Sequence, residues 1–141
     1  MNSIEAKTAF TKLRDDKNAI LIDVRTDAEL AFVGKVDAVD FDNRMVLISW
    51  QNFPAMTINP RFDAILEKTL QEKFGDDKKN SQLIFMCRSG ARSSQAAIHA
   101  TQLGYKNCFN LIAGFEGDID SAGHRSNING WKFNNLPWRQ S

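Results

Sequence analysis

The chain has 141 residues, 43% of them hydrophobic and 25% charged, and a formal net charge of +1. That length suits a single domain able to bury about two thirds of its unfolded surface. So small a net charge supplies no general field for nucleic acid or an anionic membrane, and neither is expected as a partner; any anion binding has to be local.

Met1-Asn2-Ser3-Ile4-Glu5-Ala6-Lys7 has an early acid and no apolar core, so it does not read as a secretory signal. Ser3 is placed to cap a first helix, in which Ala6, Ala9, Phe10 and Leu13 follow helical spacing. After the polar break Arg14-Asp15-Asp16-Lys17-Asn18 comes Ala19-Ile20-Leu21-Ile22-Asp23-Val24-Arg25. Its nearly unbroken apolar character fits a central parallel strand covered on both faces, and it is far too short to cross a bilayer. Thr26-Asp27-Ala28-Glu29 has capping-box spacing and predicts a short helix ending near Gly34.

Met45 to Trp50 is the next strand candidate. Asn59-Pro60 reads as a helix cap followed by proline at the first helical position, and Phe62, Ile65, Leu66, Leu70 and Phe74 form the apolar stripe of that helix up to Gly75. Asp76 to Asn80 reads as a solvated turn. Leu83-Ile84-Phe85-Met86 predicts a buried strand, the alanine-rich run beyond Arg92 a helix to about Leu103, and Lys106 to Leu111 a last strand. Strands alternating with helices imply an α/β fold with a mostly parallel central sheet and helices on both faces. The expectation is one domain over residues 1–141, with its core at about 3–117 and an aromatic extension, 118–141, packed on it. Trp131, Phe133, Leu136 and Trp138 are too many large apolar groups for a simply disordered tail.

The chemistry concentrates at Cys87-Arg88-Ser89-Gly90-Ala91-Arg92, between a strand and a helix. A thiol there meets unpaired backbone N–H groups at the positive end of a helix dipole, with two arginines near in sequence, and each favours thiolate over thiol. In parallel sheets ligands sit beyond the carboxyl ends of the strands, which is where Cys87 falls. Cys108, beside Phe109 in an apolar strand, reads as core. The two cysteines lack CxxC spacing, so neither a disulfide framework nor a zinc ribbon is expected. His99 and His124 have no ligand-like spacing, and neither metal nor cofactor is called for. Asp23 and Arg25, at a strand end near the site, read as a supporting ion pair or loop brace.

Two segments give the sequence a resemblance to the rhodanese-like domains: Leu21-Ile22-Asp23-Val24-Arg25, and Cys87-Arg88-Ser89-Gly90-Ala91-Arg92-Ser93-Ser94. Leu103-Gly104-Tyr105 and Ala113-Gly114-Phe115 are similar to a further stretch of that family. The family's first strand looks nearly absent here, and its His and Pro-Gly segment is replaced by Val33-Gly34-Lys35-Val36-Asp37. The resemblance implies a three-layer rhodanese-like fold and a sulfurtransferase in which Cys87 carries sulfane sulfur as a persulfide; a cytoplasmic location is expected from the N-terminal residues and the short apolar runs. Arg88, Ser89, Gly90, Ala91, Arg92 and Ser93 would bind the substrate. The implied partners are a small donor, thiosulfate or a persulfide, and a thiol or cyanide acceptor, the thiol small or carried on a protein. The alternatives are a non-catalytic binding or regulatory module of the same fold, and a cysteine phosphatase. The phosphatase motif has five residues between Cys and Arg, whereas four separate Cys87 from Arg92.

Overall fold

A computed structural model describes residues 1–41, 43–52 and 55–140; Ser141, the end of the expected extension, lies outside the described residues. The elements in order are β1 (Asn2–Ile4), α1 (Ala6–Asp15), β2 (Ala19–Asp23), α2 (Asp27–Val33), β3 (Lys35–Val36), β4 (Met45–Leu47), β5 (Gln51–Asn52), β6 (Thr57–Ile58), α3 (Phe62–Phe74), β7 (Gln82–Met86), α4 (Ala91–Gln102), β8 (Asn107–Leu111) and β9 (Trp138–Arg139). The main sheet is parallel throughout, in the order β1-β8-β7-β2-β4. Two short antiparallel pairs, β3 with β9 and β5 with β6, stand apart from it.

Successive side chains of a strand point to opposite faces, so the apolar runs in β2 and β7 build two cores at once. Ile20, Ile22, Leu83, Phe85 and Cys87 pack with Phe62, Leu66 and Leu70 of α3 and with Ala96, Ala97 and Ala100 of α4. Ala19, Leu21, Ile84 and Met86 face the other way, toward Ala6, Ala9 and Leu13 of α1, and toward Phe115 and Trp131. This is the expected three-layer α/β arrangement. It sets β7 in the middle of the sheet, with its carboxyl end opening at Cys87.

Several local expectations need correction. Ser3 does not cap α1: it lies in β1, paired with Asn110, and the helix follows Glu5 without a side-chain cap bond. The first strand, expected to be nearly absent, is present as three residues because β8 supplies a parallel partner. The strand expected to reach Trp50 stops at Leu47. Asn59 does not cap α3 directly; its side chain accepts from the Arg61 amide at 3.0 Å, and the helix starts at Phe62. Gly75 to Asn80 coils into a 3-10 turn, and β8 is followed by one further strand, β9.

The tail is anchored by Trp131, which is fully buried, meets Phe10 edge-on at 5.9 Å and donates its indole N–H to the Pro137 carbonyl at 2.8 Å. A buried indole needs such a partner for its N–H. Pairing of Trp138 with Val36 then closes the segment against the loop after α2.

Candidate active site

Cys87 follows directly on β7, and the connection to α4 is tighter than the sequence suggests: only Arg88, Ser89 and Gly90 intervene before the helix begins at Ala91. Gly90 makes that turn possible at φ +113°, a left-handed conformation a side chain rarely adopts. Its N–H points back and donates to Cys87 Sγ at 3.1 Å. Ser93 Oγ, one turn into α4, lies 3.2 Å from the same sulfur. The first amides of α4 have no acceptor within the helix, so the positive end of its dipole faces this pocket.

The loop's carbonyls are turned the other way. Cys87 O accepts from the Phe115 amide at 2.9 Å, and Arg88 O accepts from Glu116 and Gly117 at 2.9 and 3.3 Å. This backing segment comes so close that a Cβ on Gly114 would stand 2.4 Å from Cys87 O. With carbonyls held outside and an amide inside, the sulfur sees the positive side of the peptide groups. Cys87 itself is 1% exposed, yet it forms the floor of an open cavity of about 350 Å³ walled by Gln51, Met56, Arg88, Ser89, Ala91 and Arg92. A larger cavity of about 600 Å³ lies at the other end of the strands, near Lys17, Arg44 and Lys73. It is lined by no cysteine, and the Arg44 guanidinium is already bonded to the carbonyls of Asp16 and Ala19.

The two arginines behave differently. Arg88 has an exposed side chain at the cavity mouth. Arg92 forms a two-pronged ion pair with Glu29 of α2, at 2.6 and 2.8 Å. Burial pushes the Glu29 carboxyl up, but the Arg92 hydrogen bonds and charge, helped by Thr26, outweigh it and hold the group at about 2. The same Glu29 completes a capping box with Thr26, as its spacing predicts, so one carboxylate fixes both the start of α2 and the arginine of the loop. Its second role is not legible from spacing, because the partner lies 63 residues away.

Asp23 and Arg25 form a fully buried ion pair, with Arg25 Nη2 at 2.8 Å from Asp23 Oδ2. Arg25 also donates to Gly34 O at 3.1 Å and lies over the Phe115 ring at 4.4 Å. Neither residue lines the Cys87 cavity; the pair holds the β2–α2 turn against the backing segment. Cys108 is buried beneath α4, and His99 ties α4 to α3 through Asp63 at 2.6 Å. Among the described residues no group of three His, Cys, Asp or Glu side chains is gathered closely enough to hold a metal ion. No described helix is long and apolar enough to cross a membrane.

One partner of the Ser93 hydroxyl is not signalled by the loop's own sequence. Asn110 of β8 sits 2.6 Å from Ser93 Oγ through its Oδ1. Its signal was present: Asn110 shares a strand face with Cys108, and is thus a polar group on a side otherwise given to core.

The model of the STR4 middle domain family matches residues 1–141. The chain belongs to that family. It is 37% identical to an uncharacterised protein of Rickettsia rickettsii over 99% of this chain and 98% of the relative. It is 27% identical to a sulfurtransferase of Allochromatium vinosum over 81% of this chain and 84% of that one. Among solved structures, Rv0390 from M. tuberculosis superposes with a TM-score of 0.84 at 36% identity, covering 100% and 98% of the two chains. A rhodanese-related protein from Thermoplasma volcanium superposes at 0.56 and 20% identity over 100% of both chains. The fold is rhodanese-like, and the expected family is refined to the STR4 middle domain.

Proposed function

We propose that the protein is a sulfurtransferase working through a Cys87 persulfide. The observation that carries this reading is the polarity of the loop: Gly90 N–H and the Ser93 hydroxyl face the sulfur, while the carbonyls of Cys87 and Arg88 are bonded outward. Such a cradle stabilises a thiolate, and then the anion of a persulfide, much as an oxyanion hole stabilises oxygen. The similarity to a sulfurtransferase of Allochromatium vinosum supports the same chemistry.

With thiosulfate as donor, the thiolate attacks the sulfane sulfur, the bond to the sulfonate sulfur breaks, and sulfite leaves with the electron pair. An acceptor, cyanide or a thiolate, then attacks the outer sulfur and returns Cys87 as thiolate. Arg88 at the mouth draws in the anionic donor, and Ser89, Gly90 and Ala91 bring their backbone to it. Arg92, spent on Glu29, shapes the wall. A phosphatase loop has five residues between its cysteine and arginine, and the four between Cys87 and Arg92 make a cradle too small to wrap a phosphate, which speaks against that use. A reducing cytoplasm, which keeps both thiols free, suits this chemistry.

The test is to expose purified protein to thiosulfate and weigh it. Cys87 should gain one sulfur atom, about 32 Da, and lose it to cyanide as thiocyanate, and Cys87→Ser should do neither. Phosphate release from an aryl phosphate without thiocyanate formation would overturn the reading, and a protein inert to both would leave the binding module in its place.

A further inference from the structure

The Ser93 hydroxyl has one proton and three acceptors within reach: Asn110 Oδ1 at 2.6 Å, Gly90 O at 3.2 Å and Cys87 Sγ at 3.2 Å. A neutral thiol is a weak acceptor and an amide oxygen a good one, so the proton lies toward Asn110 whenever Cys87 is uncharged. The serine then turns a lone pair toward the sulfur, which suits S–H and opposes a thiolate. Once the sulfur is an anion the preference reverses, because a hydrogen bond to a charged acceptor is roughly twice as strong as a neutral one.

We propose that Asn110 is a positioning residue that, by holding the Ser93 hydroxyl, withholds a donor from the Cys87 sulfur while it is uncharged and yields that donor only when the sulfur becomes charged. The hydroxyl proton stays on Ser93 throughout and only its direction changes. This deepens the reading of Cys87 as the nucleophile and rests on it. The site is thereby restrained: the thiolate forms against a defined resistance, which protects an idle sulfur from adventitious oxidants. The charged groups nearest Cys87 are Arg88 on its own loop, Arg92 of α4 with Glu29 of α2, and the buried pair of Asp23 at the end of β2 and Arg25 just beyond it, while the backing segment meets the loop through the backbone amide of Glu116. β8 contributes no charge there, so removing the Asn110 amide changes the hydroxyl's direction and no charge.

The experiment follows the pH dependence of Cys87 alkylation in a Cys108→Ala background. Asn110→Leu and Asn110→Ala, a pair that covers a folding failure of either, should titrate about half a unit to one unit lower than the parent. Ser93→Ala should titrate higher by about one unit, and Ser93→Ala combined with Asn110→Leu should match Ser93→Ala alone. Asn110→Asp, which keeps an acceptor, should not titrate lower than the parent. The proposal is overturned if Asn110→Leu and Asn110→Ala titrate at or above the parent, or if their lowering survives in the Ser93→Ala background. A parent that shows the expected order of titrations but never gains sulfur mass would sink the transferase reading and leave the role of Asn110 standing.

Discussion

The two cysteines are nearly equal in burial and opposite in surroundings. Cys87 is 1% exposed and Cys108 is 2% exposed, and both face the α3–α4 layer. Cys108 is aimed at the Tyr105 carbonyl, 3.6 Å away, and burial pushes its thiol up. Cys87 receives an amide hydrogen from Gly90 and stands at the head of α4. Depth therefore does not tell the two sulfurs apart. The direction of the neighbouring peptide dipoles does, and that direction is set by a three-residue turn and by the segment that ties its carbonyls back.

The largest expected effect tests that contrast directly. In the native protein at neutral pH, Cys87 should alkylate faster than Cys108 by on the order of a hundredfold or more, and denaturation should erase the difference. Equal native rates would break the comparison. Next comes the backing segment. Gly114→Ala forces a Cβ to within 2.4 Å of Cys87 O and 2.8 Å of Arg88 O, at a residue with φ +62°. Sulfur transfer should fall on the order of tenfold to a hundredfold, with about 2 kcal/mol of stability lost. Gly75 is the control, because its φ is +61° and no atom lies within 4 Å of its absent Cβ. Gly75→Ala should cost about 1 kcal/mol and leave transfer unchanged. If the two variants behave alike, strain at a glycine is the whole effect and the backing contact is idle.

What could be read in advance follows the range of the interactions involved. β2 and β7 declare themselves because strands covered on both faces must be apolar at nearly every position. The box at Thr26 and Glu29 and the turn at Gly90 are equally local, since a capping side chain or a positive φ leaves its mark within four residues. β1 and β9 were illegible for the opposite reason: strands of three and two residues exist only because distant partners, β8 and β3, pair with them. The site divides in the same way. Cys87 and its loop are contiguous, whereas Asn110 and Glu29 reach it from other elements, and a single sequence does not say which distant polar group meets which. Arg92 was expected to bind substrate, and only the fold reveals that the Glu29 carboxylate already takes two of its N–H donors.

That carboxylate supplies the smallest effect and the sharpest test of sign. Glu29 titrates at about 2 in the folded protein against 4.5 ordinarily. A depressed acid contributes stability that is fully present above its unfolded value and is lost as the pH falls through its folded value, so the window runs from 4.5 down to about 2. The Glu29 side chain is 22% exposed, and solvent screening limits the pair to about 1 kcal/mol at neutral pH. Glu29→Gln should lower the urea midpoint accordingly at neutral pH, and the two proteins should converge as the pH approaches 2. A gap that stays constant with pH would mean that the pair contributes through shape alone. The substitution also leaves the Arg92 charge uncompensated beside one cysteine and far from the other in effect. Alkylation of Cys87 below neutral pH should therefore rise several-fold while that of Cys108 does not move, because a nearby cation favours the thiolate.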